Sequence, residues 1–156
     1  MEGVVIGNAD RSHVPALASL LQDLFSQEQD FTPNASRQVR GLMLILEHPE
    51  CGRLFVARLN NEVIGMANAL FTISTAEGGH VVLLEDVIVA RPYRGRGVGQ
   101  LLIRHVLCWA RSNGFLRVTL LADQHNVNAL QFYERAGFER SAMVVLRQDL
   151  GKEGPS

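Results

Sequence analysis

The sequence predicts an α/β protein of the α+β type, with a mixed, mostly antiparallel sheet of about six or seven strands and helices on both faces. Three observations carry that prediction. Strand-like runs and helical apolar stripes follow one another in the order β-α-α-β-β-β-α-β-α-β. The pair Asn60-Asn61 between two strand runs tolerates the positive φ of a tight hairpin, so neighbouring strands run antiparallel. A later strand runs straight into a glycine-rich turn that opens a long helix.

Val4-Val5-Ile6 reads as a short first strand. Asp10 or Ser12 caps a helix with the stripe Val14, Leu17, Leu20, Leu21, Leu24 and Phe25. Ser26 to Asn34 is polar apart from Phe31 and holds Pro33, which makes it a loop. A second helix spans Ser36 to Glu47 with Val39, Leu42, Met43 and Leu46 on one side, and Pro49 and Gly52 end it. Leu54 to Leu59 and Val63 to Ile73 flank the hairpin turn, and Thr75 to Gly79 is a second turn. Val81 to Val89 is an apolar strand interrupted by Glu85-Asp86. A helix from Val98 to Asn113 turns Leu101, Leu102, His105, Val106 and Trp109 inward and stops at Gly114. Arg117 to Leu121 reads as a buried strand, Asn126 to Ala136 as a short helix stopped by Gly137, and Ser141 to Leu146 as a last strand. Residues 151–156 contain no apolar residue and read as a flexible tail.

With 156 residues the chain suits one domain, residues 1–150, without repeats or a linker. A chain of that size buries roughly 68–70% of its extended surface, so its core needs no staple. Hydrophobic residues make up 47% and charged residues 20%, and the net charge of -1 arises from interspersed acids and bases. Nucleic acid is therefore not the expected partner, because phosphate backbones demand a basic face. No signal peptide and no bilayer-length apolar run stand out, so no membrane is expected and the cytoplasm is the expected compartment. Cys51 and Cys108 form no CxxC pair and are expected to be reduced, packed thiols. His105 and Cys108 lie three apart on a helix without a third ligand, so no metal is expected.

The most informative stretch runs from Val87 to Leu102: Val87-Ile88-Val89-Ala90-Arg91-Pro92-Tyr93-Arg94-Gly95-Arg96-Gly97-Val98-Gly99-Gln100-Leu101-Leu102. Backbone N–H groups at such a turn converge on one point, and the helix dipole adds roughly half a positive charge there. Glycines let a ligand approach without Cβ interference, and Arg94 and Arg96 add charge-assisted donors. A pyrophosphate suits this chemistry. A nucleotide P-loop would need a Lys-Ser/Thr pair, and a dinucleotide fingerprint would need glycine where Gln100 stands. An ordinary glycine-rich connection would read the same in isolation.

Arg94-x-x-Gly97-x-Gly99 resembles the acetyl-CoA signature Arg/Gln-x-x-Gly-x-Gly/Ala of the GCN5-related N-acetyltransferase (GNAT) superfamily. Downstream, Asn126-Val127-Asn128-Ala129-Leu130-Gln131-Phe132-Tyr133-Glu134-Arg135-Ala136-Gly137-Phe138 resembles that superfamily's N-x-x-A-x-x-hydrophobic-Y-x-x-x-G-F pattern. The two motifs stand in the superfamily's order, and the element order fits along nearly the whole chain. Leu84-Glu85-Asp86-Val87 is similar, more weakly, to the polyamine and thialysine N-acetyltransferase branch.

The resemblance implies an acetyl-CoA-dependent N-acetyltransferase in which an amine attacks the thioester directly through a tetrahedral intermediate. It implies that Arg94, Gly95, Arg96, Gly97, Val98 and Gly99 hold the pyrophosphate. It also implies that Val87, Ile88 and Val89 offer backbone groups to the pantetheine arm, as an added strand would. A main-chain N–H near Val87 takes an oxyanion-hole role, and Asn126 and Asn128 complete the coenzyme contacts. Tyr133 falls where the superfamily places its general acid, with packing beside Phe132 as the alternative. Glu85 is placed ahead of Asp86 as a base, since on a regular strand the two point to opposite faces. Either carboxylate is otherwise a solvated edge residue. Asp23, Glu28 and Asp30 lie where the superfamily builds its acceptor site and favour a cationic small molecule. The alternatives are a protein lysine or N-terminal acetyltransferase and a non-catalytic acyl-CoA-binding domain. A homodimer is expected through the apolar edge Ala142 to Leu146.

Overall fold

The computed structural model describes residues 1–25 and 35–151. Its first unit, Met1–Ala122, begins with β1 (Val4–Asn8), then a 3-10 turn (Arg11–His13) that leads into α1 (Val14–Phe25). Asp10 starts that turn: its carboxylate accepts the Ser12 amide at 2.8 Å and the Ser12 hydroxyl, while its own amide donates to His13 Nδ1 at 3.0 Å. After α2 (Ala35–Glu47) come β2 (Gly52–Leu59), β3 (Glu62–Ser74) and β4 (Gly79–Val89), then α3 (Val98–Ser112) and β5 (Val118–Leu120). Asn60 and Asn61 take φ of 51° and 65°, the left-handed values that the β2–β3 reversal requires.

The sheet order is β1-β2-β3-β4-β5, antiparallel except for the final β4/β5 pair. Strand alternation sends its two faces to different helices. Leu54, Met66 and Ile88 form one buried cluster with Val14, Leu17, Leu20 and Leu21 of α1 and Leu42 of α2. Phe55, next along β2, turns the other way and meets His105 and Trp109 of α3 edge-on, with centroids 5.3 and 5.5 Å apart. Phe71 stacks on Trp109 at 5.5 Å on that same side. Each large apolar side chain so buried contributes about 1.5–3 kcal/mol. Helices on both faces of a mixed, mostly antiparallel sheet are what the sequence predicts. Among the described residues, no helix is long and apolar enough to cross a membrane.

The second unit begins at Asp123 and contains α4 (Val127–Arg135). The last strand expected at Ser141 to Leu146 is not formed. Met143, Val144 and Leu146 are 85%, 80% and 90% exposed, and the segment has no ladder partner. Its β-branched residues favour a strand, but a strand exists only where a neighbour satisfies its amides. The described sheet therefore has five strands rather than six or seven.

Three smaller expectations also change. The strand at Arg117 to Leu121 shrinks to Val118–Leu120 and is half-exposed, because it lies at the sheet edge. On α2 the inward stripe runs through Gln38 and Leu42, leaving Val39 exposed. Cys51 and Cys108 are free but exposed rather than packed.

Candidate functional site

β4 ends at Val89, where the Ala90 amide donates to the Ile64 carbonyl at 2.8 Å and fixes the chain's exit from the sheet. A 3-10 turn (Arg91–Tyr93) with Pro92 in its first turn redirects the backbone. The Arg94 side chain folds back, its Nε donating to the Val89 carbonyl at 2.8 Å. Tyr93 donates its hydroxyl to Glu62 Oε2 at 3.0 Å. That bond to a carboxylate holds the phenol above its ordinary pKa.

Gly95 and Gly97 take φ of +74° and +86°. A Cβ at either position would meet no atom of the described residues within 4 Å, so backbone conformation, not crowding, requires glycine there. Gly97 is the N-cap of α3 and accepts the Leu101 amide at 3.1 Å. Gly97 has no side chain with which to cap this terminus, and the first turn has no acidic residue. Helices usually fill that place with a Ser, Thr, Asp or Asn oxygen. Here the first-turn amides at Val98, Gly99 and Gln100 are left to an outside acceptor, next to exposed Arg94 and Arg96. The arrangement fits a pyrophosphate.

Beside this turn, β4 departs from a regular strand. Leu84 pairs with Ala69 and Asp86 with Asn68, so Glu85 is the extra residue of a β-bulge. Adjacent residues Asn68 and Ala69 face opposite sides, and cross-strand partners share a side. The bulge thus puts Asp86 on the α1/α2 face and Leu84 on the α3 face, although their parity in sequence is the same. The simple alternation expected for Glu85 and Asp86 does not apply at a bulge. Glu85 is exposed and Asp86 half-buried. Asn68 Nδ2 donates to Asp86 Oδ2 at 3.4 Å.

The β5 ladder covers only Val82, Leu83 and Leu84. Val87, Ile88 and Val89 lie beyond it and pair on their other side with Ala67, Met66 and Gly65. Ile88 buries its side chain in the α1/α2 core, so it has only its backbone to offer a ligand. Gly65 allows close packing here: a Cβ would stand 3.0 Å from the Ile88 carbonyl oxygen and 3.1 Å from Leu102 Cδ1.

In the second unit, Asn126 is the N-cap of α4, with Oδ1 accepting the Ala129 amide at 3.1 Å. Asn128 is exposed in the first turn. Tyr133 lies edge-on to Phe132 (5.2 Å) and Phe138 (6.0 Å). The Phe138 amide donates to the Tyr133 carbonyl at 3.0 Å. Gly137, with φ of +100°, turns the chain between the two rings.

Of the acids expected near an acceptor, Asp23 is exposed on α1, and Glu28 and Asp30 lie outside the described residues. His105 packs edge-on against Phe55, and no group of three or more His, Cys, Asp or Glu residues gathers among the described residues. Sequence reasoning missed Asn68 and Gln38, both 7% exposed. The signal was present. Asn68 interrupts the apolar run Val63 to Ile73, and Gln38 sits four residues before Leu42 on the buried stripe.

A family model described as Acetyltransferase (GNAT) family matches residues 15–138. A Xenopus tropicalis protein named probable N-acetyltransferase camello is 32% identical over 143 residues, covering 86% of this chain and 64% of its own length. The chain thus spans slightly less than two thirds of that relative. YhfO of Bacillus subtilis, named an uncharacterized N-acetyltransferase, is 30% identical over 132 residues, covering 82% of this chain and 87% of its own. Among solved structures, the aminoglycoside N-acetyltransferase AAC(6')-Iy in complex with CoA superposes with a TM-score of 0.80 at 21% identity, covering 94% of this chain and 95% of that one.

Proposed function

Since the chain belongs to the acetyltransferase (GNAT) family, we propose that it transfers the acetyl group of acetyl-CoA to the amine of a small molecule. The observation that carries this reading is the uncapped, acid-free N-terminus of α3, opened by the left-handed Gly95 and Gly97 and flanked by Arg94 and Arg96. Its amides and the two guanidinium groups bind the pyrophosphate. The thioester supplies the activated acyl group. Val87 to Val89, outside the β5 ladder, bind the pantetheine arm through their backbone, and an amide near Val87 donates to the carbonyl oxygen. Asn126 and Asn128 add coenzyme contacts.

Tyr133 protonates the departing thiolate. A phenol of pKa about 10 can serve a thiol of about 8.5 when geometry holds the two together. A carboxylate at Glu85 or Asp86, directly or through water, takes the proton of the incoming ammonium. A small-molecule acceptor is supported by the local acids and by the aminoglycoside acetyltransferase among the fold's neighbours. We also propose that the protein is cytoplasmic and pairs as a homodimer. The decisive experiment follows free-thiol release from acetyl-CoA across a panel of amines. Release with an amine would support the reading, and silence across polyamines, aminoglycosides and lysine peptides would overturn it.

A further inference from the structure

β1 stands at one end of the sheet and pairs with β2 alone among the described residues. Its register sets Asn8 opposite Phe55, and one step further the Ala9 amide donates to the Leu54 carbonyl at 2.9 Å. Antiparallel partners alternate between pairs that exchange hydrogen bonds and pairs that do not. Counting back by twos, Gly7 and Val5 bond to β2, while Val4, Ile6 and Asn8 turn their backbone N–H and C=O groups to the open edge. Edges are usually blunted by lysine, proline or an inward-pointing charge. Val4–Asn8 contains none of these, and Val5 is 55% exposed.

A groove accompanies this edge. Cross-strand partners share a side, so Asn8 lies with Phe55 on the α3 face, and Ile6, two residues away, lies there too. Ile6 lines an open cavity of about 340 Å³ with Leu101, Arg104, His105 and Cys108 of α3. The open backbone edge and the cavity thus meet at one residue. Arg104 is the cavity's fixed positive charge, and no carboxylate is among its lining residues. Arg104 is exposed and has no ion pair among the described residues. A second copy pairing through the same edge would bring two Arg104 side chains together with no acid between them. Charge therefore favours an acidic occupant over a second copy.

We propose that the β1 edge and its groove dock an extended acidic segment of a partner protein. The segment adds an antiparallel strand to β1 through the backbone of Ile6 and Asn8. It sets an apolar side chain against Ile6 and Leu101 and lays a carboxylate on Arg104. Every second residue of an added strand faces the α3 side, so apolar and acidic side chains two apart reach the groove together. β1 lies three strands from β4, which carries the proposed coenzyme contacts, so the docking site does not depend on the acetyl-transfer reading.

The probe is the peptide acetyl-Thr-Glu-Thr-Val-Thr-Glu-Thr-amide, whose valine and two glutamates share one face of a strand. Amide hydrogen exchange of the full chain, read by nitrogen-15 NMR, should slow most at Ile6 and Asn8 when the peptide is added. Val5 and Gly7, whose amides already bond to β2, should respond less. N-methylation of the peptide's valine, the residue opposite Ile6, should abolish the effect. A peptide with lysine in place of glutamate should bind about fivefold more weakly, and Arg104→Glu should reverse that preference. The same variant should keep the full thermal shift with acetyl-CoA. A groove that merely collects apolar groups would show no reversal, and the proposal would fall. It falls too if millimolar peptide leaves Ile6 and Asn8 unprotected, or if the N-methylated peptide protects them equally. Protection that rises with protein concentration alone, together with a doubled mass in light scattering, would assign the edge to a second copy and overturn the acidic partner.

Discussion

The Asn126 side-chain oxygen accepts the Ala129 amide at 3.1 Å, so the asparagine of the downstream motif is also the cap of its own helix. In the proposed function two roles fall on one side chain, oxygen for the helix and N–H2 for the coenzyme. Asn126→Asp keeps a capping oxygen but loses the donors. It should retain thermal stability while weakening acetyl-CoA binding. Asn126→Ala should lose the cap as well, about 1 kcal/mol. Thermal melts with and without acetyl-CoA read both effects.

Gly97 needs its left-handed φ, yet none of the described residues crowds a Cβ there. Gly97→Ala should cost roughly 1–2 kcal/mol in backbone strain. Gly97→Asn, which tolerates that conformation better, should cost less. Both should abolish the acetyl-CoA thermal shift if the phosphates approach this backbone closely. A full shift in the Asn variant would place the phosphates elsewhere.

Tyr133→Phe preserves the ring contacts with Phe132 and Phe138 and removes one hydroxyl. Turnover should fall by roughly 10²–10⁴-fold if that hydroxyl protonates the thiolate. Acetyl-CoA binding should change little. Steady-state assays with an identified amine, alongside calorimetric titration, make the comparison. Unchanged turnover would remove Tyr133 from the chemistry.

Asp10 titrates below its ordinary value, chiefly because it accepts the Ser12 hydroxyl and then the Ser12 amide. A depressed folded-state pKa means stability that is present above the unfolded value near 3.9 and lost as pH falls through the folded one. Asp10→Ala should therefore be less stable than wild type at neutral pH, and the gap should close below about pH 4. Melting temperature against pH for the two proteins checks this.

Met143, Val144 and Leu146 stand exposed, and a homodimer would cover them. Val144→Glu with Leu146→Glu should then yield monomers by light scattering, with the coenzyme thermal shift intact. Monomeric wild type at high micromolar concentration would refute the pairing.

What was legible in the sequence had local causes. Asn60-Asn61, the α1 stripe from Val14 to Leu24, and the glycines at 95 and 97 each encode their conformation within a few residues, and each appears where expected, while the Phe25 side chain lies outside the described residues. Ser141 to Leu146 failed because a strand is a property of two segments, and one segment's propensity does not name its partner. The bulge at Glu85 was illegible for a related reason. Inserting one residue into a ladder leaves no trace in the apolar pattern except a polar interruption, which Glu85-Asp86 and Asn68 each supplied without showing that they meet.

β5 is joined to β4 by a parallel ladder of three residue pairs, while β2 to β4 form a continuous antiparallel meander. The meander closes through near neighbours in sequence, whereas the β4–β5 pair waits for the whole of α3 to be in place. Sequence-local pairing is fast and long-range pairing slow, so the meander assembles early and β5 arrives late. On the return path the order reverses. Its backbone amides, few in number and half-exposed, should exchange with solvent before those of β2 to β4, so that β5 opens at a lower free energy than the strands that carry Asn68 and Asp86.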